Sequence, residues 1–375
     1  MPSSPLQQVI RERILASPDR ALSWAAVMEL ALYHPEHGYY GRGPLHLGRG
    51  GDFFTAVSVG PLYGRLLAGL AAKVWRALGA PEDFAIIEQG AHDGRLMEDV
   101  ARGLDDMSCP LAARARFLIV ESNDKYRAAQ CARLSPVLGA RLSWAATLDD
   151  LRRQPSCGFF MCNELPDAFP VHRIRWTGAE WVERVVTVDD DGFTFVWRDA
   201  PLLDACVEDE VVRLPPDLPP GYTTEVHPAA AAWMRQLGRA AFHGVALIAD
   251  YGLEDHEYYS PARNDGTLRR YHDHKTDGNV LSRLGECDLT AHINFTRVMQ
   301  EARASFEWSR CMDQGSCLTR LAADWLRGLD GRPPAPETAA LLRQFHTLTH
   351  PAHMGGRFRM CISGRGLRKD DVLPG

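Results

Sequence analysis

The chain has 375 residues, 45% of them hydrophobic and 24% charged, the balance of a soluble globular protein with a large core. With a net charge of −6, nothing suggests a nucleic-acid footprint, and no run approaches the ~18 apolar residues that membrane insertion as a helix requires. The nine cysteines are scattered, odd in number and without a CxxC pair, so a reducing compartment is expected rather than a disulfide framework.

The N-terminus, MPSSPLQQVIRERIL, lacks a signal-peptide apolar region and mixes acids with its arginines, which disfavours a transit peptide. Leu6, Val9, Ile10 and Ile14 recur at helical spacing and predict an amphipathic helix over 6–16. Ser23 is placed to cap a second helix over 24–33, ended by Pro35. There follows HPEHGYYGRGPLHLGRGGDFFTAVS, with six glycines ahead of Asp52 and with Thr55 and Ser58 behind it. It reads either as a loop packed by its aromatics or as a lid over a cofactor, because functional loops need that backbone freedom. Leu62, Leu66, Leu67, Leu70, Val74 and Leu78 then predict a helix over 61–78.

The stretch FAIIEQGAHDGRLM, 84–97, organises the rest. A short apolar run, a turn framed by Gly90 and Gly94, and helical spacing of Leu96, Met97 and Val100 make strand, turn and helix. Glycine is needed where the backbone passes close under a ligand, and the helix start offers free N–H groups to polar atoms. RFLIVE, 116–121, is a second buried strand that ends in Glu121, an acid able to accept both hydroxyls of a ribose. NAD sites and S-adenosylmethionine (SAM) sites share this layout, but the turn here is not GxGxxG. An ordinary strand–helix turn is the plainer alternative.

Further along, a helix is predicted over 125–134, a strand over 141–144 and a short helix over 148–153. GFFMCN, 158–163, is a fourth buried strand, and it leads into NELPDAFPV with polar groups at its carboxyl end, the edge where open α/β sheets bind ligands. Residues 171–198 then alternate like antiparallel strands around a DDG turn. A proline-rich connection (214–222) and a helix (228–241) precede VALIAD, 245–250, a fifth buried strand that ends in Asp250. A polar insertion, 253–290, carries RRYHDHK; His272 and His274 read as loop histidines, and no ligand-spaced cluster supports a metal. Helices over 298–304 and 317–329 and a strand over 356–363 complete the chain.

In this order the motifs closely resemble the MidA/NDUFAF7-type SAM-dependent methyltransferases (DUF185, Methyltransf_28). Its LYxPxxGYY and GDFxTS are similar to 32–40 and 51–55, ExGxGxGxLMxD to 88–99, NExxDALPV to 163–171 and WxER to 181–184. DYG matches 250–252, GTLRxYxxH 266–274, DxTAHxxF 288–295 and MGxRF 354–358. The resemblance spans about 6–363 and departs from the pattern at His92, where the family has a middle glycine, and at Ala56.

The resemblance implies an α/β, Rossmann-like class I methyltransferase sheet with an N-terminal helical and glycine-rich segment and inserted antiparallel β and helical elements. The expected organisation is 1–80 for the N-terminal helices and lid, 81–164 and 244–375 for the SAM-binding core, and 165–243 for an inserted substrate-binding subdomain. The resemblance also implies SAM as cofactor and, in mitochondrial members, methylation of an arginine on a respiratory complex I subunit. A bacterial-type cytoplasmic protein is expected, with the mitochondrial matrix as the alternative. For the cofactor, the candidates are Thr55, Glu88, Gly90, Asp93, Gly94, Glu121, Ser122 and Asn163; Glu88 or Asp93 would meet the amino group of SAM and Glu121 its ribose. Glu164 and Asp167, with Asp250 as a third, are the catalytic candidates, because a paired-acid site orients a guanidinium in a planar fork. Asp167 as a cap of the following turn is the alternative reading of that residue. A small-molecule methyltransferase of the same fold and a non-catalytic assembly factor are the competing functions. The strand edges within 171–198 suit a protein substrate or a homodimer equally.

Overall fold

The computed structural model describes residues 4–44, 55–153, 157–202, 204–240, 242–272, 275–329 and 335–373. The chain divides into two compact units: Met1–Phe53, Pro166–Trp233 and Leu253–Arg297 form one, and Phe54–Leu165, Met234–Gly252 and Val298–Gly375 the other.

In the second unit the apolar runs become parallel strands. These are β1 (Ala85–Gln89), β2 (Arg116–Val120), β3 (Leu142–Ala145), β4 (Cys157–Asn163) and β5 (His243–Leu253), followed by β6 (Trp308–Asp313) and β7 (Phe358–Arg365). Their order is β3-β2-β1-β4-β5-β7-β6, with β7 antiparallel to both neighbours. The chain builds outward from β1 to β3, then returns to lay β4 on the other side of β1. That reversal sets the topological switch point between β1 and β4, and open α/β sheets take ligands at the carboxyl ends of the strands there.

Ile86, Ile87, Phe159, Phe160, Leu247 and Ile248 are buried on both sheet faces, as continuous apolar strands require. The covering helices are α1 (Leu62–Ala77), α2 (Arg95–Asp106) and α3 (Asp124–Leu138). The first two pack closely because glycine stands at the crossing. A Cβ on Gly64 would lie 2.4 Å from Cβ of Asp99, and one on Gly103 would lie 2.9 Å from Cα of Arg65. The periodicity ends α3 near Leu134, whereas the helix continues through Pro136 to Leu138. A proline so near the C-terminus costs little more than one backbone hydrogen bond.

The first unit holds a five-stranded antiparallel sheet. Leu22–Ser23 and His172–Trp176 both pair with Trp181–Val188, Phe195–Pro201 pairs with that same strand, and Thr223–Val226 pairs with His172–Trp176. Helices Pro5–Ala16 and Trp24–Tyr33 begin at Ser4 and Ser23, whose hydroxyls accept from the backbone N–H of Gln7 and Ala26. A three-stranded sheet joins Arg269–His272 with Lys275–Asp277 and Asp288–Thr290. Ile10, Ile14, Trp24, Val186 and Leu289 form part of this unit's core.

Several of the described elements lack a sequence signal. Thr223–Val226 reads TTEV, yet all four residues are buried, so no alternation marks it. Trp308–Asp313 is an edge strand with polar residues, and Ala205–Val211 and Pro336–Thr349 are helices of weak pattern. The single helix expected over 317–329 is two, Gln314–Leu321 and Ala323–Arg327, that meet at Ala322. The lid reading rests largely on 45–54, which lie outside the described residues, as does His274.

Candidate active site

Five sequence-selected groups come to one edge of the second unit's sheet because the parallel register aligns the strand ends. Gln89 stands beside Cys162 and Val120, and Asn163 beside Ala249. Gly90, Glu121, Asn163 and Glu164 therefore lie at neighbouring strand ends at one level, with Asp250 beside them inside β5, which runs on to Leu253 instead of ending at that acid.

The glycine turn is built on left-handed backbone. Gly90, His92 and Gly94 have φ of 75°, 47° and 85°. Gly94 starts α2 without a side-chain cap, and a Cβ there would lie 2.8 Å from Cδ1 of Leu134. His92 carries a side chain at a φ that glycine accepts more readily, and its ring meets Tyr126 edge-on at 5.5 Å between centroids. Asp93 is tied to α3: Arg133 donates to its carboxylate at 2.6 Å and to its carbonyl at 3.1 Å, and to Glu98 at 3.0 Å. Burial disfavours the Asp93 carboxylate, but hydrogen bonds and positive charge from His92 and Arg133 outweigh it and hold the group down at about 2.

Glu88, the last acid of β1, is buried, and its Oε2 has no hydrogen-bond partner. Desolvation first, then the nearby charge of Asp93, push its carboxyl up to about 8. Glu121 ends β2 half-buried, with one oxygen accepting from the Asn123 N–H at 2.9 Å and the other from Gln130 at 3.4 Å. Burial is the first cause that raises its pKa. Ser122 beside it is exposed.

Gln130 had no place among the candidates, yet it is the hub of this corner. Fully buried, it donates to the carbonyl of His92 at 3.0 Å as well as to Glu121, and it accepts from the indole N–H of Trp144 at 2.9 Å. One amide thus joins the glycine turn, the end of β2 and the end of β3. The available signal was a glutamine four residues from both Tyr126 and Leu134, on the buried face of α3.

At the end of β4, Asn163 donates to the Glu164 carboxylate at 2.9 Å, while its own Oδ1 is buried without a partner. Glu164 has φ of 51°, and its carboxylate also accepts from the Ala56 N–H at 3.3 Å. That backbone costs an L-residue roughly 1–2 kcal/mol and is held because the surrounding bonds over-determine it. Asp250 is fully buried and accepts from the Tyr251 N–H at 2.7 Å. Thr55 is engaged in a cap: its hydroxyl accepts from the Ser58 N–H at 3.2 Å to open Ala56–Val59. Asp167 belongs to the first unit. It is buried inside the turn Pro166–Ala168 instead of at its start, and its carbonyl accepts from Ala291.

The donor set fits an adenosyl amino acid. A half-buried carboxylate with lone pairs to spare suits a diol, and a side-chain-free backbone suits a close-lying ligand. The buried Oδ1 of Asn163 and Oε2 of Glu88 are unpaired acceptors that a cationic or N–H-bearing ligand would satisfy. Among the described residues no group of three or more His, Cys, Asp or Glu is arranged to hold a metal, and no helix is long and apolar enough to cross a membrane.

Comparison with known proteins agrees with this reading. Residues 66–311 match the family model Methyltransf_28, described as an S-adenosyl-L-methionine-dependent methyltransferase. The rat mitochondrial protein arginine methyltransferase NDUFAF7 is 27% identical over 89% of this chain and 79% of its own length. The Drosophila melanogaster homologue is 26% identical over 96% of this chain and 85% of its own. A Burkholderia thailandensis crystal structure bound to S-adenosyl-homocysteine superposes with a TM-score of 0.85 at 28% identity, covering 99% of this chain and 94% of that one.

Proposed function

The chain belongs to the S-adenosyl-L-methionine-dependent methyltransferase family that it matches, and on that premise we propose that it methylates an arginine guanidinium of a protein substrate. Bound SAM supplies an electrophilic methyl group on a sulfonium. Glu121 is assigned to the ribose hydroxyls, Gly90 and Gly94 to the backbone surface beneath the amino-acid end, and Asn163 and Glu88 to its polar groups. Thr55, Asp93 and Ser122 border the same assignment, Asp93 through its hold on Arg133.

The observation that carries the acceptor reading is the Glu164 carboxylate, held in a left-handed conformation by Asn163 and the Ala56 N–H at the end of β4. A carboxylate fixed this way can pair with a planar guanidinium, align one nitrogen for in-line attack and accept the proton that leaves as the N–C bond forms. Asp167 joins it on sequence spacing alone, and Asp250 stands behind it as a buried acid. The relatives named protein arginine methyltransferases support the same acceptor. A subunit of a respiratory complex is the acceptor class to which the sequence resemblance points. The nine cysteines are scattered and odd in number, which suits a reducing compartment, either cytoplasm or matrix.

The test is turnover with labelled SAM on a whole-cell protein extract, followed by fragmentation mass spectrometry of the labelled protein. Label on an arginine side chain that disappears with Glu164→Gln supports the reading. Label confined to small molecules, or to lysine, overturns the acceptor assignment while leaving the methyltransferase intact.

A further inference from the structure

The helix Pro336–Thr349 lies beyond residues 66–311, the stretch that matches the family model, and the reading above gives it no task. It belongs to the second unit, and its C-terminal end is fastened there. Gln314, fully buried, donates to the carbonyl of Leu348 at 3.0 Å. A Cβ on Gly315 or on Gly355 would collide with the carbonyl of Thr349, so two glycines let the chain close tightly around that end. A polar side chain carried by this helix is therefore well fixed.

Gln344 is such a side chain. Pro61 gives α1 no side-chain cap. The cap comes instead from Gln344, 282 residues away, whose Oε1 accepts from the Leu62 N–H at 3.1 Å. The same amide lies against Gly60, where φ is 144° and a Cβ would lie 2.5 Å from Cδ of Gln344. Gly60 closes the turn Ala56–Val59. At the other end of that turn, Thr55 and Ser58 cap each other: the hydroxyl of each accepts from the backbone N–H of its partner. The first N–H of the turn, that of Ala56, is the one that donates to the Glu164 carboxylate. A continuous path thus runs from the fastened helix through Gln344, Gly60 and the turn to Glu164.

We infer that Gln344 is a positioning residue for methyl transfer: by holding Gly60 and Leu62 it sets where the turn Ala56–Val59 presents its first N–H, and so where the Glu164 carboxylate stands. The inference rests on the acceptor reading given to Glu164 and deepens it. Gly60 is the point that needs holding, because a backbone without a side chain swings easily. Such a swing would draw Ala56 from Glu164 and loosen one of the bonds that keep this acid in its left-handed conformation. In-line attack tolerates little misplacement of the group that aligns the acceptor.

Two measurements test this on the unaltered chain and its variants. The first is the initial rate of label transfer from saturating labelled SAM to a whole-cell protein extract, with SAM affinity taken by isothermal titration on the same preparations. Gln344→Ala should slow transfer about tenfold and change SAM affinity by less than about twofold. Gln344→Glu keeps an oxygen that accepts from the Leu62 N–H, suits the start of a helix, and should restore the rate. The second is a double-mutant cycle of Gln344→Ala with Glu164→Ala, read by urea unfolding, which needs no acceptor. The fall in midpoint for the pair should be smaller than the sum of the two single falls. An unchanged rate in Gln344→Ala, SAM affinity lost in step with the rate, no restoration by Gln344→Glu, or additive midpoints would each overturn the proposal. Absence of label on protein with the unaltered chain would overturn the acceptor reading instead. The cycle then still decides the link from Gln344 to Glu164: non-additivity upholds it and additivity removes it.

Discussion

Gln130→Ala is the perturbation that the geometry makes most consequential. The change removes two hydrogen bonds of 2.9 and 3.0 Å and one of 3.4 Å. It leaves the indole N–H of Trp144 and the carbonyl of His92 without these partners, and it empties the volume of a fully buried amide. At about 1 kcal/mol for each of the two good bonds, with a smaller share for the long one and a further ~1 kcal/mol for the void, the loss is about 3–4 kcal/mol. Urea unfolding should show this as a lower midpoint with unchanged slope. Gln130→Glu is the sharper control. It keeps the volume but sets a carboxylate oxygen against the His92 carbonyl and the Glu121 carboxylate, so it should cost at least as much near neutral pH. A Gln130→Ala loss below about 1 kcal/mol would refute the view that this amide holds three loop ends together.

Glu88 gives a pH prediction. Its carboxyl is raised from 4.5 to about 8, so between those values the folded state binds more protons than the unfolded chain. This group's contribution to stability is therefore greatest below pH ~4.5 and declines as pH rises toward ~8. Glu88→Gln should flatten that decline and be the more stable protein at pH 8, by a few kcal/mol at most; thermal unfolding across pH 5–8 reads it, and parallel curves for the two proteins would refute it. Gly64→Leu should push α1 from α2 and cost about 2 kcal/mol or more by denaturant titration, because even a Cβ there lies 2.4 Å from Asp99; a cost below ~0.5 kcal/mol contradicts the close crossing. His92→Gly should relieve left-handed strain of roughly 1 kcal/mol and bind SAM at least as well as the unaltered chain. Binding that appears only in the glycine variant would mean that the histidine blocks the turn and would favour a non-catalytic assembly role.

Much of this was legible because local signals and tertiary demands agree. Ser23 caps the second helix as its sequence predicts, and the apolar runs at Ile86, Leu118 and Phe160 become buried parallel strands. The stretch over His172–Trp176, Trp181–Val188 and Phe195–Pro201 forms the antiparallel strands expected of it. Legibility failed where long-range contacts decide. Glu225, in the buried strand Thr223–Val226, accepts from Thr267 across 42 residues, a partner that no window can see. Gln130 reads as one polar residue on a helix until β2 and β3 are folded against it. Arg133, which holds Asp93 and Glu98 together, was hidden for the same reason.

The most direct measurement is isothermal titration of SAM into the purified chain, beside Glu121→Ala. The account predicts saturable binding by the unaltered chain, lost or sharply weakened in the variant, because that carboxylate is assigned to the ribose. Equal affinity in the two proteins would remove Glu121 from the site. No binding at millimolar SAM would contradict the cofactor assignment for this chain.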